Sequence, residues 1–178
     1  MNVEAFQEAV VASGLIDPQR ARKLWTQADA STAEALADWL AAHGHLTRFQ
    51  ADNLLRGKVG KFFVADYEIR DFLGRGGMGN VFLAVDHRIG EVRALKILPA
   101  DLRSKDRSVR RFEREMAVSR RLSHPGLTQA YEAGVAEGVP FLAMEYVPGD
   151  TLYRRIRRGS LATVSQAACW IAQVADAL

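Results

Sequence analysis

The spacing of apolar positions near the start of the chain predicts short amphipathic helices. Val3, Phe6 and Val10 fall on one helical stripe, and Gly14 follows it as a typical C-terminal stop. Similar stripes recur along the rest of residues 1–60. This pattern predicts a small helical bundle over that segment.

Local sequence signals mark where further helices of this bundle begin. Asp17-Pro18 is typical of an N-cap followed by proline in the first helical turn. Ser31-x-x-Glu34 and Thr47-x-x-Gln50 both have capping-box spacing, which predicts a third and a fourth helix. Residues 57–61 are the expected linker. We expect a regulatory or docking module with a possible docking partner, since no catalytic chemistry is visible in it.

From Phe62 the period of the apolar pattern shortens to that of β-strands. Strands are predicted around Tyr67–Leu73, Val81–Asp86 and Glu91–Leu98. Residues 105–122 return to helical spacing, with charged residues filling the polar side. Together these elements predict an α+β fold.

Composition indicates a globular protein and excludes several other classes. Apolar residues make up 48% of the 178 residues and charged residues 25%, which is too apolar for a disordered chain. No stretch approaches the roughly 18 uninterrupted apolar residues of a membrane span, and the N-terminus has no signal-peptide pattern. The single cysteine, Cys169, cannot form an internal disulfide. We expect a cytoplasmic protein with no membrane segment in this chain.

The net charge of +3 is small, and its basic excess gathers over residues 103–121 and 154–158. Such clusters could contact nucleic acid, bind phosphate or lie on solvated helix faces, of which the last is the commonest. No RNP, helix-turn-helix or zinc motif accompanies them, so we expect no nucleic-acid partner. His43 and His45 form an H-x-H pair without further ligands nearby, and no metal site is expected.

The most informative stretch is residues 74–81, which has the form G-x-G-x-x-G-x-V. Glycines let a backbone turn tightly and bring its N–H groups against phosphate oxygens. In a dinucleotide-binding unit a helix would follow at once. Here Val81–Asp86 is β-branched and aromatic, which predicts a strand. The loop is therefore expected to connect two antiparallel strands over its ligand, although alone it could be an ordinary glycine-rich hairpin.

A lysine on the third strand and a glutamate on the helix form a second candidate feature. Lys96 is flanked by apolar residues on a predicted core strand, where a charge is costly unless it is paired. The helix offers Glu113 and Glu115 as partners. Glu115 lies near the apolar stripe and Glu113 on the opposite side, so Glu115 is the expected partner.

In this order, the motifs resemble the N-terminal lobe of a bacterial eukaryotic-like (Hanks-type) serine/threonine protein kinase. The glycine loop is similar to the kinase loop that covers the ATP phosphates. Ala94-Leu95-Lys96 is similar to the V-A-I-K motif, and Glu115 is similar to the glutamate of helix C. Arg93 replaces the first valine of V-A-I-K. His124-Pro125 is similar to the turn after helix C, and residues 141–149 to the last strand and the hinge.

The resemblance implies a defined architecture. It implies an N-lobe over residues 62–144, with an antiparallel five-stranded sheet and helix C, and a hinge at residues 145–149. Residues 151–178 would be helices D and E, the first helices of the C-lobe. The chain would thus join a helical module, residues 1–60, to a partial protein kinase domain, residues 61–178.

The resemblance also implies which residues act. Lys96 and Glu115 would be the catalytic pair, with Lys96 on the α- and β-phosphates of ATP. Met144 would be the gatekeeper, and the Glu145 carbonyl and Val147 amide would bond the adenine edge. The residues implied to bind ATP are Leu73, Gly74, Arg75, Gly76, Gly77, Met78, Gly79, Val81, Ala94, Lys96, Met144, Glu145 and Val147.

Two kinase motifs, H-R-D-x-x-x-x-N and D-F-G, do not occur in the 178 residues. They carry the aspartate that accepts the substrate proton and the ligands of Mg²⁺, so Mg²⁺ is expected for the parent kinase but not on residues of this chain. We expect this chain to be the front portion of a kinase that phosphorylates Ser/Thr of protein substrates. The 178-residue chain itself is expected to be inactive. The alternative is a non-catalytic interaction protein that works through the helical module.

Overall fold

A computed structural model describes residues 1–60, 62–77, 79–159 and 162–177 of the chain. Four helices come first, an antiparallel sheet with helices α5 (Ala100–Arg103) and α6 (Asp106–Ser119) follows, and two more helices come last. This order confirms the α+β fold class expected from the sequence. Lys61 of the expected linker, Met78 of the glycine loop and Leu178 of the last expected helix lie outside the described residues.

The first four helices form a small bundle with its own apolar core. Their bounds are α1, Val3–Ala12; α2, Pro18–Ala28; α3, Ala33–Ala42; and α4, Arg48–Leu55. Phe6, Leu36, Leu40 and Leu54 are fully buried in this core, and Phe62 joins it from the segment after the bundle. Each such side chain contributes about 1.5–3 kcal/mol when it leaves water, so the core holds the short helices together.

Side-chain caps fix where all four of these helices begin, with Asn2 capping α1. The Asp17 carboxylate accepts two N–H groups of the first turn of α2, as expected. Thr47 and Gln50 form the expected capping box of α4. The capping box expected at Ser31 is wrong, because Thr32 caps α3 and accepts the N–H three residues later.

Six strands form one antiparallel sheet in the order β1-β2-β3-β4-β6-β5. Their bounds are β1, Phe63–Val64; β2, Tyr67–Arg75; β3, Asn80–Asp86; β4, Glu91–Ile97; β5, Ala130–Ala136; and β6, Val139–Glu145. The sheet thus has one strand more than the five expected. The additional strand is β1, in which Val64 pairs with Tyr67 of β2. Two residues are too few to show a period of alternation.

The helices after the sheet's first strands differ from expectation at their ends. Helix α6 corresponds to the helix predicted over residues 105–122 but ends at Ser119, with Arg120 as its C-cap. Helices α7 (Leu152–Arg157) and α8 (Val164–Ala177) lie inside the span expected for helices D and E. Helix α5 was not predicted, because four residues are too few to show helical spacing.

Side chains alternate along the strands and so divide the sheet into two faces. The outer face, defined by Leu95 and Ile97 of β4, belongs to an apolar cluster that includes residues of β1, β2 and β6. The inner face, defined by Leu142 of β6, packs against Phe112 and Met116 of α6. Helix α6 therefore packs against the inner face of the sheet and not against the outer face.

Helix α4 connects the bundle to strand β2 through buried hydrogen bonds. The fully buried Gln50 donates from Nε2 to Glu68 Oε1 and to the Ile69 carbonyl, both at 2.8 Å. The Thr47 hydroxyl donates to the Arg70 carbonyl at 2.6 Å. These contacts place the bundle directly against the sheet.

Glu68 is the charged group at the centre of this junction. Burial alone would raise the pKa of Glu68, but hydrogen bonds from Gln50, His87 and Arg70 outweigh it and lower the pKa below its usual value. A buried carboxylate with three donors stays ionised and is not left uncompensated. The bundle supplies one of those donors, Gln50, and so contributes to keeping the Glu68 carboxylate ionised.

Helix α8 contrasts with these packed elements, because none of its described side chains is buried. Val164, Ile171 and Val174 are 89%, 65% and 55% exposed. The apolar stripe of α8 is therefore largely exposed in the described part of the chain. Within that part of the chain, no helix is long and apolar enough to cross a membrane.

The Gln50 contacts yield a first prediction. Gln50→Ala should lower the free energy of unfolding by about 2 kcal/mol, because it removes a donor from a buried carboxylate and leaves a small cavity. Urea unfolding followed by circular dichroism measures the change. Gln27→Ala, at an exposed site on α2, is the matched control and should stay within about 0.5 kcal/mol of the unchanged chain. Equal losses in the two variants would show that the junction is not stabilising.

Candidate functional site

The glycine-rich stretch forms the connection between β2 and β3. Arg75 and Asn80 are the last paired residues of the two strands. Beyond them the Gly76 N–H donates to the Gly79 carbonyl at 2.8 Å. Gly76 and Gly77 are exposed. The stretch is thus a loop between antiparallel strands, as expected, and not the start of a helix.

Gly79 brings this loop against the neighbouring strand β4. A Cβ atom added at Gly79 would lie 2.8 Å from the Ile97 carbonyl oxygen and 3.3 Å from Cγ of Lys96. Cβ atoms essentially never approach a backbone oxygen that closely, so only glycine fits without a shift. By contrast, a Cβ at Gly77 would meet no atom within 4 Å. Gly79 therefore sets the distance between the loop and Lys96.

Lys96 stands in the middle of the sheet, on its inner face. It pairs with Val81 of β3 on one side and Leu142 of β6 on the other. Its side chain is 13% exposed, and its Nζ forms an ion pair with Oε1 of Glu115. Helix α6 carries Glu115, and Glu113 on the same helix is exposed. The structure therefore joins Lys96 to the glutamate that the sequence pattern favoured.

Glu115 has one oxygen that is left without a partner. Its Oε2 is buried and accepts no hydrogen bond from the described residues. An unpaired buried acceptor costs free energy, so this position favours an additional donor. A phosphate group carries acceptors at neutral pH and cannot supply that donor. Glu115 therefore keeps one unpaired buried acceptor beside the ion pair, in the part of the chain that the structure describes.

The inner face continues from Lys96 towards the end of β6. Ala94 is 7% exposed and pairs with Met144, which brings these two side chains to one patch with Val81. Leu73 lies at a register shift between Phe72 and Gly74, so it is placed by a β-bulge. These residues form an apolar surface next to the lysine.

The segment after β6 presents backbone groups beyond this apolar surface. The Glu145 N–H donates to the Gln129 carbonyl at 2.8 Å, and Glu145 Oε2 accepts the Gln129 N–H at 3.2 Å. Val147 is 60% exposed, and its N–H has no hydrogen-bond partner in the part of the chain that the structure describes. Gln129, just before strand β5, thus holds Glu145 in place, while the Val147 N–H stays unpaired among the described residues.

This arrangement fits ATP in the chemistry of its donors. The exposed backbone at Gly77 and the ammonium group of Lys96 suit phosphate oxygens, whereas the Gly76 N–H is already bonded to Gly79. The apolar patch beside them suits a flat base. Among the described residues, no group of three His, Cys, Asp or Glu lies close enough to hold a metal ion. Met78, also expected at this site, lies outside the described residues.

An aromatic stack supports the base of the glycine loop. The rings of Phe72 and Phe82 meet edge to face at a centroid distance of 5.5 Å, and Phe49 of α4 lies 6.2 Å from Phe82. This contact between the three phenylalanines was not predicted from the sequence. Phe72 and Phe82 are cross-strand partners on either side of the glycines. Their similar distances from the loop could have indicated this contact from the sequence. The contact with Phe49 depends on tertiary structure and has no local signal.

Comparisons with known proteins agree with this geometry. The sequence matches the family model described as Protein kinase domain over residues 67–178, which is more than half of the chain. The serine/threonine-protein kinase pkn3 of Myxococcus xanthus is 41% identical over 101 residues, covering 56% of this chain and 18% of that protein. The serine/threonine-protein kinase PrkC of Bacillus subtilis is 37% identical over 94 residues, covering 53% of this chain and 14% of that protein.

A solved structure shows the same similarity. The crystal structure of the Mycobacterium tuberculosis PknI kinase domain is 30% identical and has a TM-score of 0.54, covering 65% of this chain and 47% of that chain. This chain therefore spans about half of that solved domain and less than a fifth of the two curated relatives.

The close approach of Gly79 yields a second prediction. Gly79→Ala should lower the free energy of unfolding by about 1–3 kcal/mol, because the new methyl group pushes the loop away from β4. Gly77→Ala, where a Cβ meets open space, is the matched control and should leave stability almost unchanged. Urea unfolding gives the comparison, and the NMR amide shifts of Lys96 and Ile97 report the displaced loop. A tolerated Gly79→Ala would contradict the packing described here.

Proposed function

Because this chain belongs to the protein kinase domain family, we propose that it is the ATP-binding part of a serine/threonine protein kinase. Such an enzyme transfers the γ-phosphate of ATP to Ser or Thr hydroxyls of protein substrates. The observation that carries the proposal is the ion pair between Lys96 and Glu115 beneath the glycine loop. The relatives pkn3 and PrkC are both named serine/threonine-protein kinases, which supports the choice of substrate class.

Each part of the site has a role in this proposal. The glycine-rich stretch from Gly74 to Gly79, which includes Arg75, would lie over the phosphates. Lys96 orients the α- and β-phosphates, and Glu115 is a positioning residue that holds the lysine ammonium in place. Mg²⁺, when bound in the parent kinase, neutralises charge that develops on the phosphates.

The base of the nucleotide would bind further along the inner face. Val81 and Ala94 cover one side of the adenine ring, with Leu73 at the edge of the loop. Met144 lies at the back as gatekeeper. The Glu145 carbonyl accepts a hydrogen bond from the adenine edge, and the Val147 N–H, open among the described residues, donates one.

The sequence contains neither H-R-D-x-x-x-x-N nor D-F-G. Those motifs supply the aspartate that accepts the substrate proton and the side chains that hold Mg²⁺. We therefore propose that the 178-residue chain binds nucleotide but does not transfer phosphate. Transfer is a property of a longer kinase that includes those motifs.

Residues 1–60 are proposed to be a regulatory or docking module of this kinase, and residues 61–178 a partial kinase domain. The contacts of α4 support a regulatory role, because Gln50 and Phe49 reach the sheet that carries the glycine loop. A partner that displaced α4 would remove those contacts.

Nucleotide binding is the third prediction. The chain should bind ATP in isothermal titration calorimetry, and Lys96→Met should weaken binding by about tenfold or more through loss of a charge-assisted contact. Lys23→Met, an exposed lysine on α2 in the bundle, is the matched control and should bind as the unchanged chain does. Circular dichroism verifies that each variant is folded.

The same samples distinguish the alternative function. A folded chain that fails to bind ATP would contradict the proposal and favour a non-catalytic interaction protein. Phosphate transfer from Mg·ATP by the 178-residue chain, abolished by Lys96→Met, would contradict its catalytic incompleteness instead.

A further inference from the structure

A large cavity lies on the outer face of the sheet, opposite the side that carries Lys96. It has a volume of about 720 Å³, is open to solvent on one side, and is lined by α4, by residues 58–60 and 62–64, and by the segment that follows β4. We propose that this outer cavity is a binding site for a small organic anion with an aromatic body. This site is separate from the proposed nucleotide site and does not depend on it.

The floor of the outer cavity is apolar and well packed. Phe62, Val64, Ile69 and Ile97 line it, and each is at most 9% exposed. Partly buried aromatic rings complete the walls, namely Phe49 and Phe82. A pocket whose walls carry phenylalanine rings favours a flat aromatic ligand, because ring pairs gain energy beyond the area they bury.

The rim of the cavity is charged, with an excess of cations. Lys58, Arg75 and Arg103 line it, against two carboxylates, Asp101 and Glu137. Within the described part of the chain, none of these five groups forms an ion pair within 4 Å, whereas twelve other pairs do form. The cations are therefore not neutralised by their neighbours, and the rim favours an anionic group.

Two of these cations, Arg75 and Arg103, form hydrogen bonds through Nε that leave their terminal nitrogens free to donate. Arg103 donates from Nε to the Leu98 carbonyl at 2.9 Å, and Arg75 donates from Nε to Asn80 Oδ1 at 3.3 Å. The terminal guanidinium nitrogens of both have no hydrogen-bond partner among the described residues. A guanidinium fixed through Nε can donate from those nitrogens to a carboxylate.

The size and position of the cavity also suit a ligand. Small-molecule sites usually enclose about 300–1,000 Å³ and combine an apolar lining with a few polar groups. Arg75 and Asn80, which line the cavity, are also the pair that closes the base of the glycine loop. An occupant would therefore touch the roots of that loop from the side opposite Lys96.

Binding of 2-naphthoate, an aromatic carboxylate, tests this proposal. Titration of the chain followed by heteronuclear NMR should give saturable shifts at the amides of Val64, Ile69 and Ile97. The neutral analogue 2-naphthamide should bind about tenfold more weakly or worse, since it lacks the charge that meets the guanidinium groups. Shifts confined to the exposed apolar side of α8, or equal affinity for the two compounds, would overturn the proposal.

A pair of matched variants places the ligand in the cavity. Ala100→Trp puts a large ring at the cavity wall from an exposed position on α5, and it should weaken 2-naphthoate binding about tenfold or more. Ala117→Trp makes the same change at an exposed position on α6 that does not line the cavity, and binding should be unaffected. The spectra without ligand show whether each variant is folded. Equal binding by the two variants would overturn the assignment.

The charge of the rim is tested in the same way. Arg103→Gln should weaken binding of 2-naphthoate but not of 2-naphthamide. Arg107→Gln, at an exposed position outside the cavity lining, is the control for a general loss of positive charge. If the two arginine variants lose affinity equally, the attraction is a property of the whole surface and the proposed site is wrong.

Discussion

The ion pair between Lys96 and Glu115 is the constraint on which the rest of the site depends. A lysine in the middle of a core strand must be paired, because its charge has little access to water. Its side chain is 13% exposed and that of Glu115 29%, so neither charge is fully solvated. Removing one partner of a fully buried pair costs about 3–5 kcal/mol, and this partly exposed pair lies below that range. The pair therefore fixes how α6 stands against β4.

Side chains alternate along each strand, so the two faces of the sheet contact different parts of the molecule. On the inner face, Lys96 and Ala94 point to the proposed nucleotide site and to α6. On the outer face, Leu95 and Ile97 belong to the apolar cluster that Phe49 of α4 joins. The helical bundle and the proposed nucleotide site are thus separated by the thickness of one sheet. Helix α4 and the glycine loop are thus attached to the same two strands, β2 and β3.

Much of this architecture could be predicted from the sequence, and the rest has physical reasons for being missed. The order of helix caps, glycine loop, Lys96 and Glu115 predicted the fold class because each signal is local. Strand β1 and helix α5 were missed because elements this short show no period. The fit of Gly79 against Ile97 and the burial of Gln50 beside Glu68 depend on chain segments that are distant in sequence.

The most direct measurement is a double-mutant cycle on ATP affinity, with Lys96→Met, Glu115→Gln and both changes together. If Glu115 acts on the nucleotide only by holding Lys96, the single glutamate change weakens binding, but the double variant binds no more weakly than Lys96→Met alone. Losses that simply add would show that Glu115 acts independently of Lys96. That result would contradict the central role given to the pair.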